Sequence, residues 1–136
     1  MTEAIKKTRK QFTNIHITQL MNYRLPAAGM VSIFHRISGF MMFLLLPFIL
    51  YLFEQSISSE ISFAHLQGYV SHWLVKLFIL ALSWAYLHHF CAGIRHLVMD
   101  MHIGIEKDSA RQTAVVVLAA SLSLTALVAL KLFGAF

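Results

Sequence analysis

The stretch Ser83–Asp100, "SWAYLHHFCAGIRHLVMD", reads as an apolar helix with buried charge. It sits in an apolar run from about His72 to Val98, yet it carries His88, His89, Arg95 and His96. The run exceeds the ~20 residues a helix needs to cross the hydrocarbon core of a bilayer. Ionisable groups at that depth are costly and are kept for a purpose. Two further apolar runs flank this one, from about Val31 to Phe53 and from Thr113 to Phe133. Three strands could not close a barrel and would leave sheet edges open to lipid, so the runs predict helices. The expected fold class is all-α integral membrane: three transmembrane helices with an N-terminal cytoplasmic extension. The 136 residues are read as one membrane-anchor domain, with 1–22 as the extension and approximate spans at 31–53, 72–98 and 113–133.

Composition agrees. The chain is 58% hydrophobic and only 12% charged, too few charges for the surface of a soluble domain of this size. Lys6, Lys7, Arg9 and Lys10 cluster near the start. Beside a membrane such a cluster reads as a cytoplasmic anchor and not as a nucleic-acid contact. The region after it, "QFTNIHITQLMNYRLP", is polar, so no cleavable signal peptide is expected. Cys91 is the one cysteine and cannot form an intrachain disulfide; it reads as a small packing residue. Pro47 lies within the first run and is a candidate kink.

Orientation follows from the basic residues. The segment through Arg36 holds six of them, and Arg95, Lys107 and Arg111 flank the second connection. Only Lys76 and Lys131 fall on the opposite side. Nine against two predicts a cytoplasmic N-terminus and a periplasmic C-terminus in a multi-pass protein of a bacterial inner membrane.

The polar residues are not scattered. His96 follows His89 by seven positions, two turns along nearly the same helix face and ~10 Å shallower, with Gly93 between them. A histidine–glycine–histidine face predicts a deep imidazole, a slot free of side chains, and a donor near the surface. Haem asks for this pattern: an axial ligand, room for a flat macrocycle, and basic groups for the propionates. His35, Arg36, Arg95 and His96 could form the basic rim. His88 is rotated ~100° from His89 and reads as a packing residue. His16, His65, His72 and His102 fall in loops or at span ends. His35 looks too shallow to be the second axial ligand, and the third run contains no histidine, so either the iron is five-coordinate or another subunit supplies the ligand. On the first helix, Ser32 and Arg36 are four apart and share a face. With His35 beside them, a hydroxyl and a guanidinium one turn apart suit the binding of a polar or anionic group.

"SIFHRISG" (Ser32–Gly39) and "HFCAGIRHLVMD" (His89–Asp100 without the preceding histidine) together resemble the cytochrome b membrane-anchor subunit of succinate dehydrogenase, the succinate:quinone oxidoreductase known as respiratory complex II. The resemblance covers roughly Tyr23 to the C-terminus. It implies that His89 is the axial ligand of one haem b, shared with a companion anchor subunit that supplies the second ligand. It implies that His35, Arg36 and His96 surround the propionates and that Ser32 and Arg36 belong to the ubiquinone site. The implied partners are the second hydrophobic anchor, an iron–sulfur subunit, a flavoprotein subunit, quinone and membrane lipid, with no nucleic acid. The chain itself would be a non-catalytic subunit, helping to pass electrons from succinate, an intermediate of the tricarboxylic acid cycle, to quinone. Two rival readings remain: a quinone-binding anchor of a fumarate reductase, and a cofactor-free structural membrane anchor. The first differs only in direction; the histidine face argues against the second.

Overall fold

The computed structural model describes residues 25–134, together with Thr18. The expected extension over 1–22 therefore lies outside the described residues apart from Thr18. Four helices follow in chain order: α1 (Ala27–Ser58), α2 (Glu60–Val70), α3 (Trp73–Asp100) and α4 (Lys107–Leu132). No strand occurs among the described residues. α1, α3 and α4 are each long and apolar enough to span a membrane. They pack against one another as an antiparallel three-helix bundle, and α2 lies against α1 and α3.

The helices overrun the apolar stretches that announce them. α1 has 32 residues, ~48 Å at 1.5 Å per residue, whereas the hydrocarbon core is ~30 Å thick. Hydropathy reports the depth of lipid a segment crosses, and the polar turns at each end remain helical beyond it. Pro26 precedes α1 with φ −66°, and its carbonyl accepts from the Gly29 and Met30 amides at 2.9 and 3.1 Å. Proline suits a helix start because its ring presets φ and it has no amide to leave unpaired. Pro47 does not interrupt the helix, which runs unbroken to Ser58. α2 falls in the segment expected to be a connection. The Ser59 side chain caps it by accepting from the Ser62 amide, and Ser62 Oγ donates to the Gln55 carbonyl at 2.7 Å, tying α2 back to α1. His72 stands just before α3, and its Nδ1 accepts from the Leu74 amide at 3.3 Å.

At the α3–α4 connection the chain turns through two left-handed residues, His102 (φ 63°) and Gly104 (φ 74°). The Met101 and Ile103 amides both donate to the Val98 carbonyl, closing the end of α3. At the other end of the bundle Lys76 Nζ lies 5.7 Å from the centre of the Phe133 ring, joining the start of α3 to the end of α4.

The core is small. Val31, Ala92, Ala114 and Val117 are its buried apolar residues. Ser38, His88, Arg95 and Ser121 are the buried polar ones. Large apolar side chains such as Phe43, Leu44, Phe53, Leu97 and Val116 point outward. A membrane protein is built this way. Lipid satisfies the large apolar groups, and helices approach through small residues and interhelical hydrogen bonds.

Candidate functional site

The segments Ser32–Gly39 of α1 and His88–His96 of α3 face one another. His35 stacks on His89, with ring centres 4.1 Å apart and planes 12° from parallel. His35 also lies 4.9 Å from His96, tilted by 47°. The three imidazoles thus form a ladder across the two helices with His35 as its middle rung. His35 therefore reaches the deeper histidine, contrary to the expectation that it stays shallow. It still cannot serve as an axial ligand opposite His89, because rings in van der Waals contact leave no room for a macrocycle between them.

Hydrogen bonding orients His89. Its Nδ1 lies 3.0 Å from the main-chain oxygen of His35. A carbonyl can only accept, so Nδ1 carries the proton and donates. In the neutral ring Nε2 then keeps the lone pair, and it makes no hydrogen bond among the described residues. A neutral imidazole held through one nitrogen with the other open is the form that ligates a metal. Ser38 Oγ lies 3.3 Å from the same Nδ1 and donates to the same carbonyl at 3.0 Å. Gly39 admits the ring: a Cβ there would stand 2.8 Å from His89 Cε1.

The groups around this imidazole fit a haem better than a bare ion. No set of three or more His, Cys, Asp or Glu side chains converges on a metal position among the described residues. One oriented imidazole suffices where a macrocycle provides four nitrogens of its own. One turn further into the bundle from His89 and Gly39 stand Tyr86 and Met42. They belong to an apolar cavity of about 680 Å³ that Leu46, Leu82 and Ser83 also line. The slot at Gly93, however, is not empty. His35 Nε2 lies 3.5 Å from where a Gly93 Cβ would be, so the His35 ring occupies that side of the glycine.

Ser32 is half-buried and Arg36 exposed, one turn apart on α1. Neither has a hydrogen-bond or ion-pair partner among the described residues, so both remain available to a ligand.

His88 and Arg95 point elsewhere. His88 is fully buried, packed edge-on against Phe34 at 5.9 Å and tilted against Trp84 at 5.4 Å. The Val31 main chain approaches the ring, but neither ring nitrogen makes a well-formed hydrogen bond, and Trp84 Nε1 is equally unpaired. Arg95, a candidate for the basic rim, turns instead toward α4. Its Nε donates to Thr113 Oγ1 at 3.0 Å and its Nη2 to the Ala110 carbonyl at 3.2 Å. Arg95 as a whole is 7% exposed, and its guanidinium joins two helices of this chain. It does not await a partner helix.

Three contributors escaped the sequence. Ser38 and Gly39 stand in "SIFHRISG", and their links to His89 span fifty positions or more. Thr113 as the acceptor for Arg95 carried no local signal.

These features define a three-span integral membrane protein with one ligand-ready imidazole set between its first two spans. The chain belongs to the succinate dehydrogenase/fumarate reductase transmembrane-subunit family, whose profile matches residues 13–128. Among its relatives is the succinate dehydrogenase cytochrome b556 subunit of Coxiella burnetii. It is 39% identical over 94 residues, 68% of this chain and 72% of that protein. The subunit of the same name from Paracoccus denitrificans is 31% identical, covering 84% of this chain and 88% of its own. That of Rickettsia felis is 29% identical over 89% of this chain and 96% of its own.

Proposed function

We propose that this chain is the haem b-binding anchor of a succinate dehydrogenase and contributes to the site where ubiquinone is reduced. The observation that carries the reading is the His89 imidazole, whose Nδ1–H donates to the His35 carbonyl while Nε2 stays open. His89 would hold the haem iron from one side, with a companion anchor subunit supplying the opposite ligand. His35, Arg36 and His96 would meet the propionates, the first and last through the imidazole ladder already in place. Haem b bound there supplies a one-electron store within the membrane.

Quinone is the substrate on this reading. Its reduction takes up two electrons and two protons. Ser32 would donate a hydrogen bond to a carbonyl oxygen of the ring, and Arg36 would stabilise the negative charge that develops there. Such groups are worth most where water is excluded and the dielectric is low. Their place near the start of α1 supports a site close to one membrane surface. The excess of Lys and Arg on that side makes the surface cytoplasmic on the positive-inside rule, where an iron–sulfur subunit and a flavoprotein subunit would dock. The C-terminus would then be periplasmic, and the whole chain one anchor domain in a bacterial inner membrane. The family includes fumarate reductase subunits, but the curated relatives named above are all succinate dehydrogenase subunits, which favours succinate oxidation.

The test is a pair of assays on the purified complex. Ser32→Ala and Arg36→Leu should lower quinone reduction at least tenfold, ~1.4 kcal/mol of transition-state stabilisation. Succinate oxidation by a water-soluble artificial acceptor should stay near the parent rate. Equal losses in both assays would show that these residues serve assembly, and the quinone assignment would fall.

A further inference from the structure

Ser38 sits at 6% exposure on α1, facing α3, and no step proposed above uses it. Its hydroxyl takes part in two contacts at once. It donates to the His35 carbonyl at 3.0 Å, and its oxygen lies 3.3 Å from His89 Nδ1. The carbonyl itself accepts from Nδ1 at 3.0 Å. The hydroxyl proton is therefore committed to the carbonyl, which turns an oxygen lone pair toward Nδ1–H. Three groups close a small ring of hydrogen bonds in which the Nδ1 proton has two acceptors.

A single carbonyl holds one point of an imidazole and leaves the ring able to swing about that bond. A second acceptor to one side sets the plane as well. The carbonyl belongs to the main chain and is present whatever residue stands at 35. The hydroxyl is present only because residue 38 is serine. Outer partners of a ligating histidine fix its tautomer and orientation and raise its basicity, and for haem iron those are levers on potential and spectrum.

We infer that Ser38 is a positioning residue for His89, setting the plane of the imidazole and adding electron density to it through the second acceptor on Nδ1. The inference rests on the reading of His89 as the haem ligand. The competing account is local: a helical serine often bonds the carbonyl three or four residues back and does nothing more. On that account the 3.3 Å approach to Nδ1 is incidental.

The experiment uses the intact membrane complex carrying Ser38→Ala, Ser38→Thr or His89→Leu. It reads the haem midpoint potential by redox titration and the low-spin g-values by electron paramagnetic resonance. Succinate oxidation by a soluble acceptor reports assembly. With one acceptor lost, the ring is less electron-rich and ferric iron is less favoured. Ser38→Ala should therefore raise the potential and move the g-values while soluble-acceptor activity stays at the parent level. Ser38→Thr keeps the hydroxyl and should restore both signals. Unchanged potential and g-values in Ser38→Ala would overturn the inference, as would threonine behaving like alanine. His89→Leu separates the two levels. If it abolishes the low-spin signal while Ser38→Ala is silent, only the role of Ser38 falls. If it leaves the low-spin signal intact, the ligand assignment falls and this inference with it.

Discussion

Replacing Gly39 by alanine tests how closely α1 and α3 must approach for His89 to be held. The new Cβ would stand 2.8 Å from His89 Cε1 and 3.2 Å from Nδ1. Ordinary van der Waals contact begins near 3.4 Å, so the ring or the helix must move by about half an ångström. The helix backbone is stiff and the imidazole is already pinned at Nδ1, so little of this displacement can be absorbed freely. Overpacking of a well-filled contact costs about 1–3 kcal/mol. The bond at risk is Nδ1–H to the His35 carbonyl, and with it the aim of Nε2. Gly39→Ala should convert or deplete the low-spin haem signal in a reduced-minus-oxidised spectrum of the purified complex. Gly93→Ala supplies a control within the chain. A Cβ there would meet only His35 Nε2, at the ordinary distance of 3.5 Å, so the signal should persist. A parent-like spectrum in Gly39→Ala would refute the argument from close approach. A loss in Gly93→Ala as large as that in Gly39→Ala would mean that the macrocycle, and not His35, lies against Gly93.

Two further outcomes concern the side chains that face away from the imidazole ladder. His88→Leu should leave the haem spectrum unchanged and keep or raise thermal stability, by about 1 kcal/mol, because it removes two buried nitrogens without hydrogen bonds; a lost spectrum would place His88 at the cofactor. Thr113→Val should lower the denaturation midpoint of the complex in detergent, at a cost of about 1 kcal/mol, because Arg95 keeps its charge and loses an acceptor. Arg95→Leu should cost no more than that, since Thr113 Oγ1 still donates to the Ala110 carbonyl at 3.2 Å. A much larger loss for Arg95→Leu would show that the guanidinium does more than join α3 to α4.

The three spans, and the order of groups along each of them, were legible in the amino-acid sequence. Hydropathy follows the lipid a segment must cross, and helical periodicity needs only one element. That is why His89, Gly93 and His96 could be placed along one face of α3, and His88 on another, before any neighbour was known. The ends of the spans were less legible, because polar turns continue a helix past the apolar run. α2 was missed for a related reason: eleven residues with Ser, His, Gln and Gly among them carry little helical pattern, and the Ser59 cap and the Ser62 bond to α1 hold the segment instead. What each face meets depends on how the helices pack. The rotation of α3 against α1 brings His35 over Gly93 and sets Ser38 and Gly39 against His89. The packing of α3 on α4 turns Arg95 away from the imidazole ladder and toward Thr113. Such pairings depend on how two rigid cylinders are rotated and how closely they approach. Small residues and long-range hydrogen bonds set that geometry together, and no single stretch of chain contains it.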